Sequence, residues 1–223
     1  MIPLNKIIVL SVGIASVLAR NAAGQTVVYN ESWENTLDGW GTIGGNMTIG
    51  GFSSTLGVTE GSYSLILNGP GTTGPNYAGQ IGSTASTALT LDLANASSVT
   101  LNVYVPPGNF GYYLQWDLAL NQQGGGLGYQ SVDGYSYSQS ATIGGEATLT
   151  WTIPAAIQTT LAANPTLPTS LNFQIGGGFT SASDAVYLDN LQITDNAVPE
   201  PGALALAGLG ALAVLKFGRR RQG

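Results

Sequence analysis

The chain has 223 residues, 6 basic and 12 acidic side chains, no cysteine and no histidine, which rules out disulfides, thiolate or imidazole zinc sites, Ser-His-Asp triads and Cys-His dyads. None of the basic residues (Lys6, Arg20, Lys216, Arg219, Arg220, Arg221) falls between Gln25 and Val198, and Glu200 alone of the acidic ones lies outside that stretch, leaving eleven carboxylates and a formal charge of −11 there. Phosphate contacts depend on Lys and Arg, so the segment is not a nucleic-acid binder, and no salt bridge can form within it.

At the N-terminus Lys6 precedes an apolar run, Ile7 to Ala19, followed by the small residues of Asn21-Ala22-Ala23-Gly24. That order predicts a signal peptide over 1–24, removed by signal peptidase after Gly24. Residues 25–196 then read as one all-β domain, with short alternating runs separated by Gly, Asn, Ser and Pro clusters. Val99, Leu101, Val103 and Val105 share one face of a strand, as do Tyr112, Leu114, Trp116, Leu118 and Leu120 in the next. Leu149, Trp151 and Ile153 repeat the pattern, and so do Leu171, Phe173 and Ile175. One helix is predicted from near Pro154, carrying Ile157 and Leu161 on one side. Many alternating strands in this length predict a two-sheet antiparallel sandwich of jelly-roll type.

If the apolar faces pack inward, one sheet presents Tyr104, Tyr113, Gln115, Asp117, Asn172 and Gln174 outward. Aromatic rings flanked by amides and a carboxylate suit sugars, whose C–H faces stack on the ring while their hydroxyls hydrogen-bond. Tyr104, Tyr113, Gln115 and Asp117 are therefore the candidate glycan contacts, although Tyr and Thr also decorate any solvated sheet. No two acids pair on a strand in the way glycoside hydrolysis requires, so no catalytic residue is assigned and the domain is read as non-enzymatic.

Three blocks sharpen this reading: Glu31-Ser32-Trp33-Glu34-Asn35-Thr36-Leu37-Asp38-Gly39-Trp40, Gly57-Val58-Thr59-Glu60-Gly61-Ser62-Tyr63-Ser64-Leu65 and Val186-Tyr187-Leu188-Asp189-Asn190-Leu191-Gln192-Ile193. In that order they resemble the opening, GxxSL and closing strands of carbohydrate-binding-module-like jelly rolls. The resemblance implies that the first and last strands lie close together. It also implies one structural Ca²⁺ held by Glu34 and Asp189 and completed by carbonyls near Glu60 to Ser62. Ca²⁺ accepts such mixed oxygen sets. The alternative is that both carboxylates merely cap strand ends or hydrogen-bond to backbone N–H groups.

Residues 197–223 form a separate tail. Pro199-Glu200-Pro201 is followed by an apolar stretch, Gly202 to Phe217, and then by Arg219-Arg220-Arg221. As a helix that stretch would be about 24 Å long, short of the ~30 Å hydrocarbon core unless Lys216 and the arginines snorkel. Arginines beside an apolar helix stay cytoplasmic, which places the preceding chain across the membrane. This order of Pro-Glu-Pro, transmembrane helix and Arg cluster resembles the tail of bacterial PEP-CTERM proteins. The resemblance implies recognition by an exosortase near Pro199, Glu200 and Pro201, with membrane contact through the helix at least until processing. The expectation is an exported surface or matrix protein with a carbohydrate-binding-like sandwich and an extracellular polysaccharide as partner. A passive component of an exopolysaccharide matrix is the alternative.

Overall fold

The computed structural model describes residues 25–70, 78–108, 110–134, 137–181 and 183–195, with backbone alone at 110–113. All of its strands and helices fall in one compact unit, Val27–Asp195. The expected signal segment 1–24 and the tail from 196 onward lie outside the described residues. Among the described residues no helix is long and apolar enough to cross a membrane.

The strands are β1 (Val27–Glu31), β2 (Trp40–Gly45), β3 (Thr48–Ser53), β4 (Ser64–Asn68), β5 (Gly79–Ser83), β6 (Ala96–Val105), β7 (Phe110–Gln122), β8 (Gly128–Ser131), β9 (Gln139–Ala141), β10 (Gly145–Thr152), β11 (Thr169–Phe179) and β12 (Ala185–Asp195). Two helices, α1 (Thr87–Asn95) and α2 (Ala155–Ala163), join β5 to β6 and β10 to β11. One sheet, A, runs β10-β6-β12-β4-β3, with β1 also on β12. The other, B, runs β2-β5-β11-β7-β8, with β9 also on β7. Every pairing is antiparallel. The architecture is the expected two-sheet sandwich, and β1 lies against β12 with Val27 opposite Thr194.

The alternating residues point where their period requires. Val99, Leu101, Val103 and Val105 are buried, as are Leu114, Trp116, Leu118, Leu120, Leu149, Trp151, Leu171, Phe173 and Ile175. All four tryptophans are in this core. Trp33 meets Trp40 edge-on at 5.4 Å, Trp40 stacks on Phe173 at 5.8 Å, and Phe173 meets Trp151 of the opposite sheet at 5.4 Å. Trp40 donates its indole N–H to the Tyr29 hydroxyl at 3.4 Å. The indole N–H groups of Trp33, Trp116 and Trp151 are buried without a partner, so these three side chains stabilise the fold through packing alone.

Helix α2 appears where Pro154 signals it, with Ile157 and Leu161 buried. The sequence reading did not single out α1. Its cue is Ser86, whose Oγ accepts the Leu89 N–H at 3.1 Å as an N-cap, followed by buried Leu89 and Leu93 four residues apart. Three β-favouring or turn-favouring residues, Thr87, Thr90 and Asp92, obscure that signal.

β12 changes phase midway. Val186 and Leu188 face the core, and so do Leu191 and Ile193, because the register shifts between Asp189 and Gln192 with Asn190 at φ +48°. Asparagine tolerates that left-handed conformation better than most residues. Asp189 thus lies on the outer face of sheet A, yet it is fully buried. Its cover is the β3–β4 loop, residues 54–63. Asp189 Oδ2 accepts from the N–H of Thr59, from Thr59 Oγ1 at 3.0 Å and from Glu60 N–H at 2.7 Å, while Oδ1 accepts from Asn190 N–H at 2.8 Å. Asn102 Nδ2 donates to Thr59 Oγ1 at 2.9 Å. Gly57, at φ +68°, lies so close that a Cβ there would sit 2.5 Å from Tyr187 Cβ.

Replacing Asp189 by Ala would leave two partly buried loop N–H groups without their acceptor, at a cost of about 3 kcal/mol. The expected result is a melting midpoint lowered by roughly 6–12 °C in a circular-dichroism melt of the full chain in detergent.

Candidate functional site

The register assembles the outer face of sheet B row by row. Gln80 of β5 pairs with Gln174 of β11, which pairs with Asp117 of β7. The adjacent row is Gly82, Asn172, Ala119 and Ser131. Gly82 leaves room for its neighbours, since a Cβ there would sit 2.4 Å from Asn172 Oδ1 and 2.8 Å from Ile43 Cδ1. Tyr129 of β8 reaches over β7. Its hydroxyl accepts from Gln80 Nε2 at 2.9 Å and from Gln174 Nε2. The ring is therefore fixed at its tip while 39% of the residue stays exposed, and the exposed Ile43 lies on the same face.

The predicted glycan contacts fall differently. Gln115 is half-buried on β7, opposite Gly176 and Ser140. Tyr113 lies on the same strand, its side chain outside the described ones. Tyr104 does not join them, which corrects the expectation of a single face. It is on β6 of sheet A, its ring 5.9 Å from that of Tyr187. The Pro106-Pro107-Gly108 connection takes the chain from one sheet to the other instead of folding β6 and β7 into a hairpin.

Asp117 faces outward by register but is only 4% exposed. Ser131 Oγ lies 2.6 Å from its Oδ1. Burial raises its pKa above the ordinary aspartate value, helped by the nearby Asp133 carboxylate and opposed by hydrogen bonds from Ser131 and the Leu118 N–H. Tyr129, rather than Tyr104, is the aromatic group that meets the amides. Its contacts with Gln80 and Gln174 join residues far apart in the chain, so no local pattern announces them.

Glu34 and Asp189 are brought to one loop. Glu34 Oε1 and Oε2 accept from Ser62 N–H at 2.9 and 3.0 Å, and Oε1 also accepts from Tyr63 N–H at 3.4 Å. Asp189 holds Thr59 and Glu60 as described above. Both carboxylates are engaged by loop N–H donors, each with lone pairs beyond those the donors use. Among the described residues no group of three or more His, Cys, Asp or Glu is arranged to hold a metal. The geometry is that of the alternative reading, two carboxylates clamping a loop by its backbone.

Pro199, Glu200, Pro201, Arg219, Arg220 and Arg221 lie outside the described residues. Residues 197–222 match the family model of the PEP-CTERM protein-sorting motif. The chain carries a PEP-CTERM sorting tail. Comparison with curated proteins gives no match. Among solved structures the chain is similar to one from a study of carbohydrate-binding modules of the β-sandwich superfamily, at 17% identity and TM-score 0.50, over 77% of this chain and 63% of that one. It is also similar to the C-terminal family 22 carbohydrate-binding module of Clostridium thermocellum Xyn10B, at 14% identity and TM-score 0.49, over 78% of this chain and 96% of that one. The fold is that of carbohydrate-binding-module jelly rolls, and at these identities the likeness speaks for the fold alone.

Two outcomes follow from the carboxylates. Removing Ca²⁺ with a chelator is expected to leave the melting midpoint of the wild-type chain unchanged. A midpoint that falls with chelator and returns with Ca²⁺ would contradict the clamp. Burial also raises the pKa of Glu31, with Asp38 adding to it. Glu31 and Asp117 are therefore harder to ionise folded than unfolded. Their contribution is complete below the ordinary carboxylate range and is lost as pH rises through their raised values, so the midpoint of the full chain should climb as pH falls from about 8 to about 5.

Proposed function

We propose that the protein is exported, processed at its tail by an exosortase, and acts outside the inner membrane as a non-catalytic carbohydrate-binding domain. Its proposed ligand site is the outer face of sheet B. The observation that carries the reading is the ring of Tyr129, fixed at its hydroxyl by Gln80 and Gln174 and 39% exposed on the outer face of sheet B. All four tryptophans are committed to the core, so stacking on a sugar falls to tyrosine. Asp117 is the sole carboxylate in the strands of sheet B. The preferred ligand is an uncharged polysaccharide, because residues 25–198 offer no Lys, Arg or His to a uronate or sulfate.

Affinity electrophoresis of the full chain through gels containing xylan, mannan or mixed-linkage glucan tests this. Saturable retardation by at least one of them is expected, weakened about tenfold, or ~1.4 kcal/mol, in Tyr129→Ala and in Gln174→Ala. A chain that none of these polymers retards is the passive matrix component instead.

A further inference from the structure

Asp117 lies where the edge pairing of β7 is interrupted. Ala119 pairs with Ser131 of β8 and Trp116 pairs with Gln139 of β9, so no strand pairs with β7 opposite Asp117 among the described residues. Val132 N–H returns to the Leu118 carbonyl at 2.8 Å. Ser131 Oγ sits between two oxygens, Asp117 Oδ1 at 2.6 Å and the carbonyl of Gly134. A serine hydroxyl carries one proton, and a carbonyl can only accept. If Asp117 is a carboxylate, that proton serves one of the two oxygens, and the other contact brings two lone pairs together at a buried position. If Asp117 is a carboxylic acid, its O–H donates to Ser131 Oγ and the Ser131 O–H donates to the Gly134 carbonyl. Every proton is then used and every oxygen satisfied.

We propose that Asp117 is held in the folded protein as the neutral acid, and that its proton docks the 131–134 turn against β7 and so positions Tyr129, two residues earlier on β8. The part concerning Tyr129 rests on the glycan reading of the sheet B face; the protonation and the turn do not. The charged neighbour facing Asp117 is Asp133 on the turn, which opposes ionisation. β11 presents the uncharged Gln174 across from it, and residues 25–198 hold no cation that could favour the carboxylate. The Leu118 N–H is the one backbone donor that acts the other way. Ionising Asp117 removes the shared proton, loosens the turn and frees β8 at its end, so both stability and ligand affinity decline as pH rises. Asp117 is thus a positioning residue and not a ligand contact.

The test is urea unfolding of the full chain across pH, for the wild type and for Asp117→Asn, whose amide donates to Ser131 Oγ as the acid does. Asp117→Asn is expected to match the wild type at low pH and to lose the part of its pH slope that Asp117 supplies. Asp117→Ala should be weaker at every pH. A wild-type slope preserved in Asp117→Asn, or an Asn variant weaker than the wild type at all pH values, overturns the proposal. Should Asp117→Asn not fold, a ¹³C titration of the wild-type aspartate carboxyls decides the point. One aspartate whose titration moves in Ser131→Ala must ionise above the ordinary range, and its absence overturns the proposal. Polysaccharide affinity is read on the same samples and should fall with the same pH profile in the wild type and stay level in Asp117→Asn. A retained stability difference with no polysaccharide bound at any pH sinks the glycan reading and leaves the assignment of Asp117 standing. An affinity that varies with pH equally in both proteins overturns the link to Tyr129.

Discussion

Carboxylates bonded to backbone N–H groups hold the loops of this domain in place. Eleven acids and no cation occupy residues 25–198, so a buried carboxylate can be satisfied only by N–H and O–H donors or by losing its charge. Asp189 and Glu34 take the first course and clamp the loop between β3 and β4. Asp184 does the same at the β11–β12 connection, where its Oδ2 accepts from Thr180 and Ser181 N–H at 2.7 and 2.9 Å. Glu31 accepts from Trp33 N–H at 2.9 Å and so helps hold Trp33, at φ +48°, in the core. Such hydrogen bonds to charged groups are stronger than neutral ones and fix direction as well as distance. They give a chain poor in ion pairs a set of rigid connections.

The two sheets consequently have different exteriors. Sheet A is covered by its own loop, with Asn102 linking Thr148 to Thr59 and Gly57 tucked against Tyr187. Sheet B is left with glutamines, small residues and a tyrosine ring secured at its hydroxyl. A ring fixed in advance loses little freedom when a planar ligand settles on it, which favours recognition by stacking. The asymmetry does not follow from composition. It follows from which carboxylates face which loop.

The fold was largely legible because its strands alternate cleanly. Val99 to Val105 and Leu171 to Ile175 announce one buried face each, and Pro154 announces α2. The short helix α1 was obscured by threonines whose intrinsic preference opposes the role that Ser86 and two leucines impose. The candidate face was legible only in part. Alternation assigns Gln115 and Asp117 an outward direction, but it says neither which sheet a strand joins nor what crosses above it. Tyr104 was placed with them because nothing local in Pro106-Pro107-Gly108 distinguishes a crossover from a hairpin. Asp117 is buried beneath Ser131 and its turn at a gap in strand pairing, which leaves no mark on period. The donors that Glu34 and Asp189 hold belong to a loop that sequence separation hides.

The last strand of the domain is also an inner one. β12 lies between β6 on one side and β4 and β1 on the other, and it ends four residues before Pro199. Sheet A therefore stays split into unpaired pieces until almost the whole chain has emerged, and its closing contacts join residues about 160 positions apart, as between Val27 and Thr194. Such distant pairings make folding slow relative to local structure. The sandwich can therefore close only once its C-terminal strand is in place.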